Sequence, residues 1–174
     1  DPMAGLYPPA SYACGWPQAD PPAYTGDYSL TVGQTLPDGI FRDACDDAVR
    51  LHDLAGSWLV IDVAAMDCGP CQSMAAGATA FEASMADQGS SARSVTLLAP
   101  SLSDPLGATS ATALAAWASE FALEGPILAD RGYGVWVVGR GAEATTGEAF
   151  GYPTWVVVDP ALVVVSVHVG FGSW

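Results

Sequence analysis

The stretch "SWLVIDVAAMDCGPCQSM", residues 57–74, changes its period at a pair of cysteines, and that change restricts the possible folds more than any other feature of the chain. Its first half, "SWLVIDVAA", is a near-continuous apolar run of the kind a buried parallel strand requires. From Pro70 onward Met74, Ala78, Phe81 and Met85 fall at i, i+4, i+7 and i+11, one face of a helix. The cysteines Cys68 and Cys71 therefore lie where a strand ends and a helix begins.

The rest of the chain extends this alternation. "GIFRDACDDAVRLHDLAG" reads as a hairpin with its turn at Ala44–Asp47, and "SVTLLAP" as a second buried strand. Leu114, Trp117, Ala118 and Phe121 mark a second amphipathic helix, with Thr109 or Ser110 as N-cap. "PILAD" is a short strand, and "RGYGVWVVG" is compatible with helix or strand because its glycines weaken both. "TWVVVD" and "LVVVSVHV", separated by a turn around Pro160, read as an antiparallel hairpin. Strands alternating with helices and then a hairpin imply a mixed α/β sheet flanked by helices. Residues 1–28, rich in Pro, Gly and Tyr and without period, read as an extended arm, and residues 29–174 as the domain. The arm's aromatics (Tyr7, Tyr12, Trp16, Tyr24, Tyr28) favour packing on the domain over a free linker.

Charge excludes some partners. The chain carries 19 acids against 5 bases, all Arg, for a net charge of −14. Phosphate binding needs clustered cations, so nucleic acid and anionic membrane surfaces are excluded as partners. No run of about 18 apolar residues occurs, so no membrane-inserted helix is expected. The start "DPMAGLYPPA" holds no basic or apolar leader region, so no signal segment is visible. Four cysteines, Cys14, Cys45, Cys68 and Cys71, with one Cys-x-x-Cys among them, fit an extracytoplasmic redox protein, periplasmic or secreted.

A helix N-terminus presents unpaired N–H groups and the positive end of the dipole, and both favour thiolate over thiol. Cys68 is therefore the expected lower-pKa, more exposed sulfur, and Pro70 suits the first turn, where its missing N–H costs nothing. Cys71, nearly one turn further in, is expected to be more buried. This arrangement suits attack by Cys68 and resolution by Cys71.

These residues resemble the thioredoxin superfamily. "LVIDVAAMDCGPCQSMA" is similar to its strand-plus-active-site segment, and "GYPTWVVVDP" to its cis-proline segment. The resemblance covers residues 38–170 and is nearest to the extracytoplasmic thiol-reductase and cytochrome-maturation branch. It implies a thioredoxin-like fold and thiol–disulfide exchange with a protein substrate and a redox partner, without organic cofactor or metal. It matches Cys68 to the nucleophile, Cys71 to the resolving cysteine and Pro153 to the cis-proline, with Gly69, Pro70 and Tyr152 in the substrate groove. Asp62, six residues before Cys68, matches the buried acid that relays a proton to the resolving cysteine; a carboxylate in so apolar a strand is independently expected to have a raised pKa.

The sequence departs from the family pattern at three places. Asp67 replaces the usual Trp before the first cysteine; its charge opposes a thiolate by roughly 1–3 kcal/mol, against about 0.3–2 kcal/mol from the helix terminus. A Cys68 that is not strongly acidic, and a reducing character, are therefore expected. Tyr152 stands where Thr or Val is commoner and is expected to narrow access. The family's last helix has no counterpart before "GFGSW", so one sheet face would need cover from the arm, a partner chain or further residues.

Other readings remain open at the level of sequence. They are a catalytically silent binding module with a structural Cys68–Cys71 disulfide, a zinc half-site completed by Cys14, Cys45, His52 or His168, and a peroxidase. Zinc lacks a second Cys-x-x-Cys. The peroxiredoxin pattern wants Thr three residues before the reactive cysteine, where Ala65, Arg42 and Ser11 stand. Cys14 and Cys45 either form a second disulfide tying arm to hairpin, remain free thiols, or act in a relay with Cys68–Cys71. His52 and His168 read as structural, and Asp43, Asp46 and Asp47 as a solvated turn.

Overall fold

The computed structural model describes residues 13–16, 24–90 and 92–172, so most of the arm, Tyr7 and Tyr12 included, lies outside the described residues. In chain order the elements are β1 (Ile40–Arg42), β2 (Ala48–Arg50), β3 (Trp58–Ala65), α1 (Gly69–Asp87), β4 (Ala92–Ala99), α2 (Ala111–Phe121), β5 (Ile127–Ala129), α3 (Arg140–Thr146), β6 (Thr154–Val158) and β7 (Val164–Val169). The main sheet runs β5-β4-β3-β6-β7. Strands β3, β4 and β5 are parallel, while β6 is antiparallel to β3 and β7 to β6. Strands β1 and β2 form a separate antiparallel ribbon. This is the mixed α/β, thioredoxin-like architecture.

Strand β3 lies mid-sheet with both faces covered, which is why its sequence is almost unbroken apolar. Leu59, Ile61 and Val63 join one core with Val49, Leu51, Leu54, Val138 and Ala142, from the ribbon, a 3-10 turn (Leu51–Leu54) and α3 with the turn before it. Alternate residues point the other way. There Ala64 and Leu98 pack with Cys71, Ala75, Leu114 and Trp117, so α1 and α2 cover the second face. Ser110 caps α2, its hydroxyl accepting from Ala113 N at 3.2 Å.

Two segments differ from the sequence reading. The second arm of the hairpin leaves extended geometry at Leu51 and closes into the 3-10 turn. "GVWVVG", ambiguous in sequence, is a π-helical turn (Gly134–Gly139) running into α3. Close packing explains the glycine: a Cβ on Gly134 would sit 2.3 Å from Val63 Cγ1 and 2.6 Å from Asp130 Oδ2.

On the α1 side of β6, Trp155 and Val157 are only half-buried. With Val60, Met74, Phe81, Met85 and Gly172 they line a cleft of about 210 Å³. Trp155 is stacked on His168 at 3.9 Å, and Phe171 is 61% exposed.

The turn between β1 and β2 is organised by Asp43. This residue is fully buried, unlike the solvated turn expected of the acidic cluster. Its Oδ1 accepts from Cys45 N (2.9 Å) and Asp47 N (2.8 Å), and its Oδ2 from Trp16 Nε1 (2.8 Å). Ala13 N donates to Asp47. Cys14 and Cys45 are disulfide-bonded, with Sγ atoms 1.99 Å apart. Closing a 31-residue separation is worth about 3–4 kcal/mol in the chain-entropy description. Asp43→Ala strands three donors at once. It is expected to lower stability by about 3 kcal/mol in guanidinium unfolding, with Asp43→Asn recovering part of the loss.

Candidate dithiol site

Cys68 is the N-cap of α1, in extended geometry (φ −92°, ψ 105°), and its Sγ accepts from Cys71 N at 3.3 Å. Pro70 lies in the first turn. Cys68 and Cys71 are disulfide-bonded at 2.13 Å. Gly69 and Pro70 are exposed on the outer side of the bend. Cys68 itself is only 3% exposed and Cys71 0%. The expected order holds, but the nucleophile position is covered rather than open. Met66 and the Tyr152 ring pack against the cluster that contains both sulfurs.

Sheet register brings the distant proline to this place. Val63 pairs with Thr154, so the next residues along, Ala64 and Pro153, lie side by side at the end of β3 that leads to Cys68. The Tyr152–Pro153 peptide bond is cis. This end is also where the connections reverse: β4 lies on one side of β3 and β6 on the other.

Asp62 points to the α1 side, on the same face as Ala64, which packs with Cys71. It is 3% exposed, and its Oδ1 has no hydrogen-bond partner among the described residues. Burial pushes its carboxyl pKa up to about 7. Asp67, beside Cys68, is exposed, and one of its oxygens accepts from Leu102 N at 2.7 Å.

One further acid escaped sequence reasoning. Asp130, just beyond β5, is fully buried and accepts from Gly134 N through both oxygens, at 3.1 and 3.2 Å. Burial raises its pKa, while the N–H groups of Gly134, Gly132, Tyr133 and Arg131 act in the opposite direction. Its charge reaches Tyr152, whose phenol is pushed up to about 12, first by burial and then by Asp130. The Tyr152 hydroxyl is buried without a partner among the described residues. The available signal was the pattern itself: "PILAD" ends an apolar run on an acid.

The remaining candidates lie elsewhere. His52 is buried and donates from Nε2 to Leu36 O at 2.7 Å; His168 lies against Trp155 and Ser166. Cys14, Asp43 and Cys45 put possible metal-ligating atoms within 4.8 Å of one another. The two sulfurs are bonded to each other and both Asp43 oxygens are engaged by N–H donors, so this set is already committed.

No protein-family model matches the chain, and no curated protein matches it. Solved structures do match. A Chlorobium tepidum protein assigned as thiol:disulfide interchange protein DsbE is 21% identical, with a TM-score of 0.60, over 83% of this chain and 89% of that one. A secreted Mycobacterium tuberculosis disulfide oxidoreductase homologous to E. coli DsbE is 12% identical, with a TM-score of 0.53, over 78% and 85%. A thiol peroxidase from Chromobacterium violaceum is 15% identical, with a TM-score of 0.57, over 82% and 78%. The chain thus has the thioredoxin-like fold that these proteins share.

Asp62 keeps its proton in the folded protein up to about pH 7, whereas the unfolded chain loses it near the ordinary value of 3.8. Between those values the native state binds the extra proton, so stability declines as pH rises and levels off above 7, by about 4 kcal/mol in all. Asp62→Asn is expected to remove this slope. The variant should match wild type near pH 4 and exceed it by up to about 4 kcal/mol at pH 8, in guanidinium unfolding of the oxidised protein. Tyr152→Thr, which removes the ring packed against the cysteine cluster, is expected to speed reduction of Cys68–Cys71 by dithiothreitol several-fold, measured by thiol alkylation over time.

Proposed function

We propose that the chain is a thiol–disulfide oxidoreductase that reduces disulfides in protein substrates outside the cytoplasm. The reduced Cys68 thiolate attacks a substrate disulfide, a mixed disulfide forms, and one substrate sulfur leaves and takes a proton. The Cys71 thiolate then attacks Cys68 Sγ, which releases the second substrate thiol and leaves the Cys68–Cys71 disulfide. Two electrons and two protons pass to the substrate, and an external dithiol donor restores the pair. Asp62 accepts the Cys71 proton; Pro153, Tyr152, Gly69 and Pro70 form the groove that holds the substrate strand. No organic cofactor or metal takes part.

The observation that carries this reading is the Cys68–Cys71 pair at the N-terminus of α1, beneath which lies a buried carboxyl with a pKa of about 7. A carboxyl poised near the working pH suits proton exchange with a thiol. The reducing direction rests on Asp67, whose charge offsets the helix terminus. Export rests on the second disulfide, Cys14–Cys45, of a kind rare in the cytosol, and on the likeness to a secreted oxidoreductase.

The 3% exposure of Cys68 favours a second reading, a binding module whose disulfide never turns over. Insulin reduction by dithiothreitol separates them. Catalysis predicts faster precipitation with wild type, none above background with Cys68→Ser, and a trapped mixed disulfide with Cys71→Ser. No acceleration by any form would leave the binding module standing. Direction is read from the reduction potential of the pair: near roughly −270 mV for a reductase, near about −120 mV for an oxidant.

A further inference from the structure

Parallel strands β3, β4 and β5 all end on the edge that carries the dithiol, so strand order sets the order of the segments that leave them. Asp67 comes after β3, the loop 100–107 after β4, and the segment from Gly132 to Trp136 after β5. Neighbouring strands are about 4.8 Å apart, so these positions form one continuous rim. Beside Asp67 stands Leu102, 50% exposed and joined to it through its backbone N–H. Next come Leu106 and Trp136, 49% and 53% exposed. Both pack on Gly132: a Cβ there would meet Leu106 Cδ2 at 2.9 Å and Trp136 Cδ1 at 3.1 Å. Arg140 lies over Trp136 at 5.0 Å, which places positive charge at the β5 side of the rim.

Resting on the thiol–disulfide reading, we propose that Asp67 is a specificity-determining residue that selects substrate cystines flanked by a Lys or Arg, with an apolar residue beyond it seated on Leu102, Leu106 and Trp136. Charge complementarity carries this choice of occupant. Asp67 is exposed next to Cys68, and among the described residues only one of its oxygens accepts a hydrogen bond, which leaves the other for a docked chain. The protein bears 19 acids against 5 arginines, so its field attracts cationic segments and repels anionic ones. A positive neighbour of the substrate cysteine would also offset the Asp67 charge while Cys68 is a thiolate in attack, adding to the effect on rate.

The test uses the whole chain with dithiothreitol as donor and three fluorescent cystine peptides. They differ only in the residue flanking the cysteine (Lys, Gln or Glu), with Leu beyond it. Wild type is expected to reduce the Lys peptide about tenfold faster than the Glu peptide at low ionic strength, with the gap closing in about 0.5 M salt. Asp67→Asn keeps a side-chain oxygen for Leu102 N and removes only the charge, so its Lys-to-Glu ratio should fall several-fold while the Gln peptide is still reduced. A ratio near one in wild type, or an unchanged ratio in Asp67→Asn, would overturn the inference and leave the oxidoreductase reading intact. Failure to reduce any of the three peptides would overturn both.

Discussion

The site depends on one pairing, that of β3 with β6. Strand β3 lies parallel to β4 on one side and antiparallel to β6 on the other. Because the register joins Val63 to Thr154, the residues preceding β6 are delivered to the point where β3 gives way to α1. Moving that register by one residue would turn every β6 side chain to the opposite face and carry Pro153 away from the cysteines. Register is pinned by alternation: Val156 and Val158 enter one core while Trp155 and Val157 face the α1 side. A proline more than eighty residues away in sequence is thus positioned by ordinary sheet packing.

Around this pairing the protein sets two opposed electrostatic influences on the same sulfur pair. The N-terminus of α1 favours negative charge at Cys68, and Asp67 disfavours it. Beneath the helix, Asp62 is kept protonated toward neutrality by desolvation alone, since no hydrogen bond reaches its Oδ1 among the described residues. Asp130, beyond β5, shows the contrasting solution: it is as buried as Asp62, but the N–H groups of the turn after it supply hydrogen bonds. Asp62, within β3, and Asp130, just beyond β5, therefore have different capacities. Asp130 is built into the turn that starts the next helical segment, whereas Asp62 retains an unsatisfied acceptor.

Much of the fold was legible because its elements are periodic and long. The β3-to-α1 change of period, the Ser110 cap and the β6–β7 hairpin all arise from local pattern. What local pattern could not supply was close approach. "GVWVVG" reads ambiguously because Gly134 is selected by contact with Val63 and Asp130, not by its own propensity. Asp43 looked like part of a solvated acidic turn because its three donors include Trp16, from the arm, whose placement no short window reveals. The dithiol and its neighbours were legible as residue types. The burial of Cys68 was only half legible, since Tyr152 announces bulk in the sequence but not that its ring packs against the cysteine cluster.

In the proposed exchange, the Tyr152 ring and the charged rim would act on different stages. Tyr152, packed against the cysteine cluster, would act as a steric filter that treats cationic and anionic segments alike. Asp67 and the acidic surface would act earlier, on encounter, and would discriminate by sign. A sulfur that is only 3% exposed would gain from such steering, because a chain held nearby has longer to reach it. The two features therefore complement each other: the narrower the steric entrance, the more of the selection falls to the charges and apolar side chains around it. On this rim those are Asp67, Leu102, Leu106 and Trp136, all on segments that leave the same ends of the parallel strands.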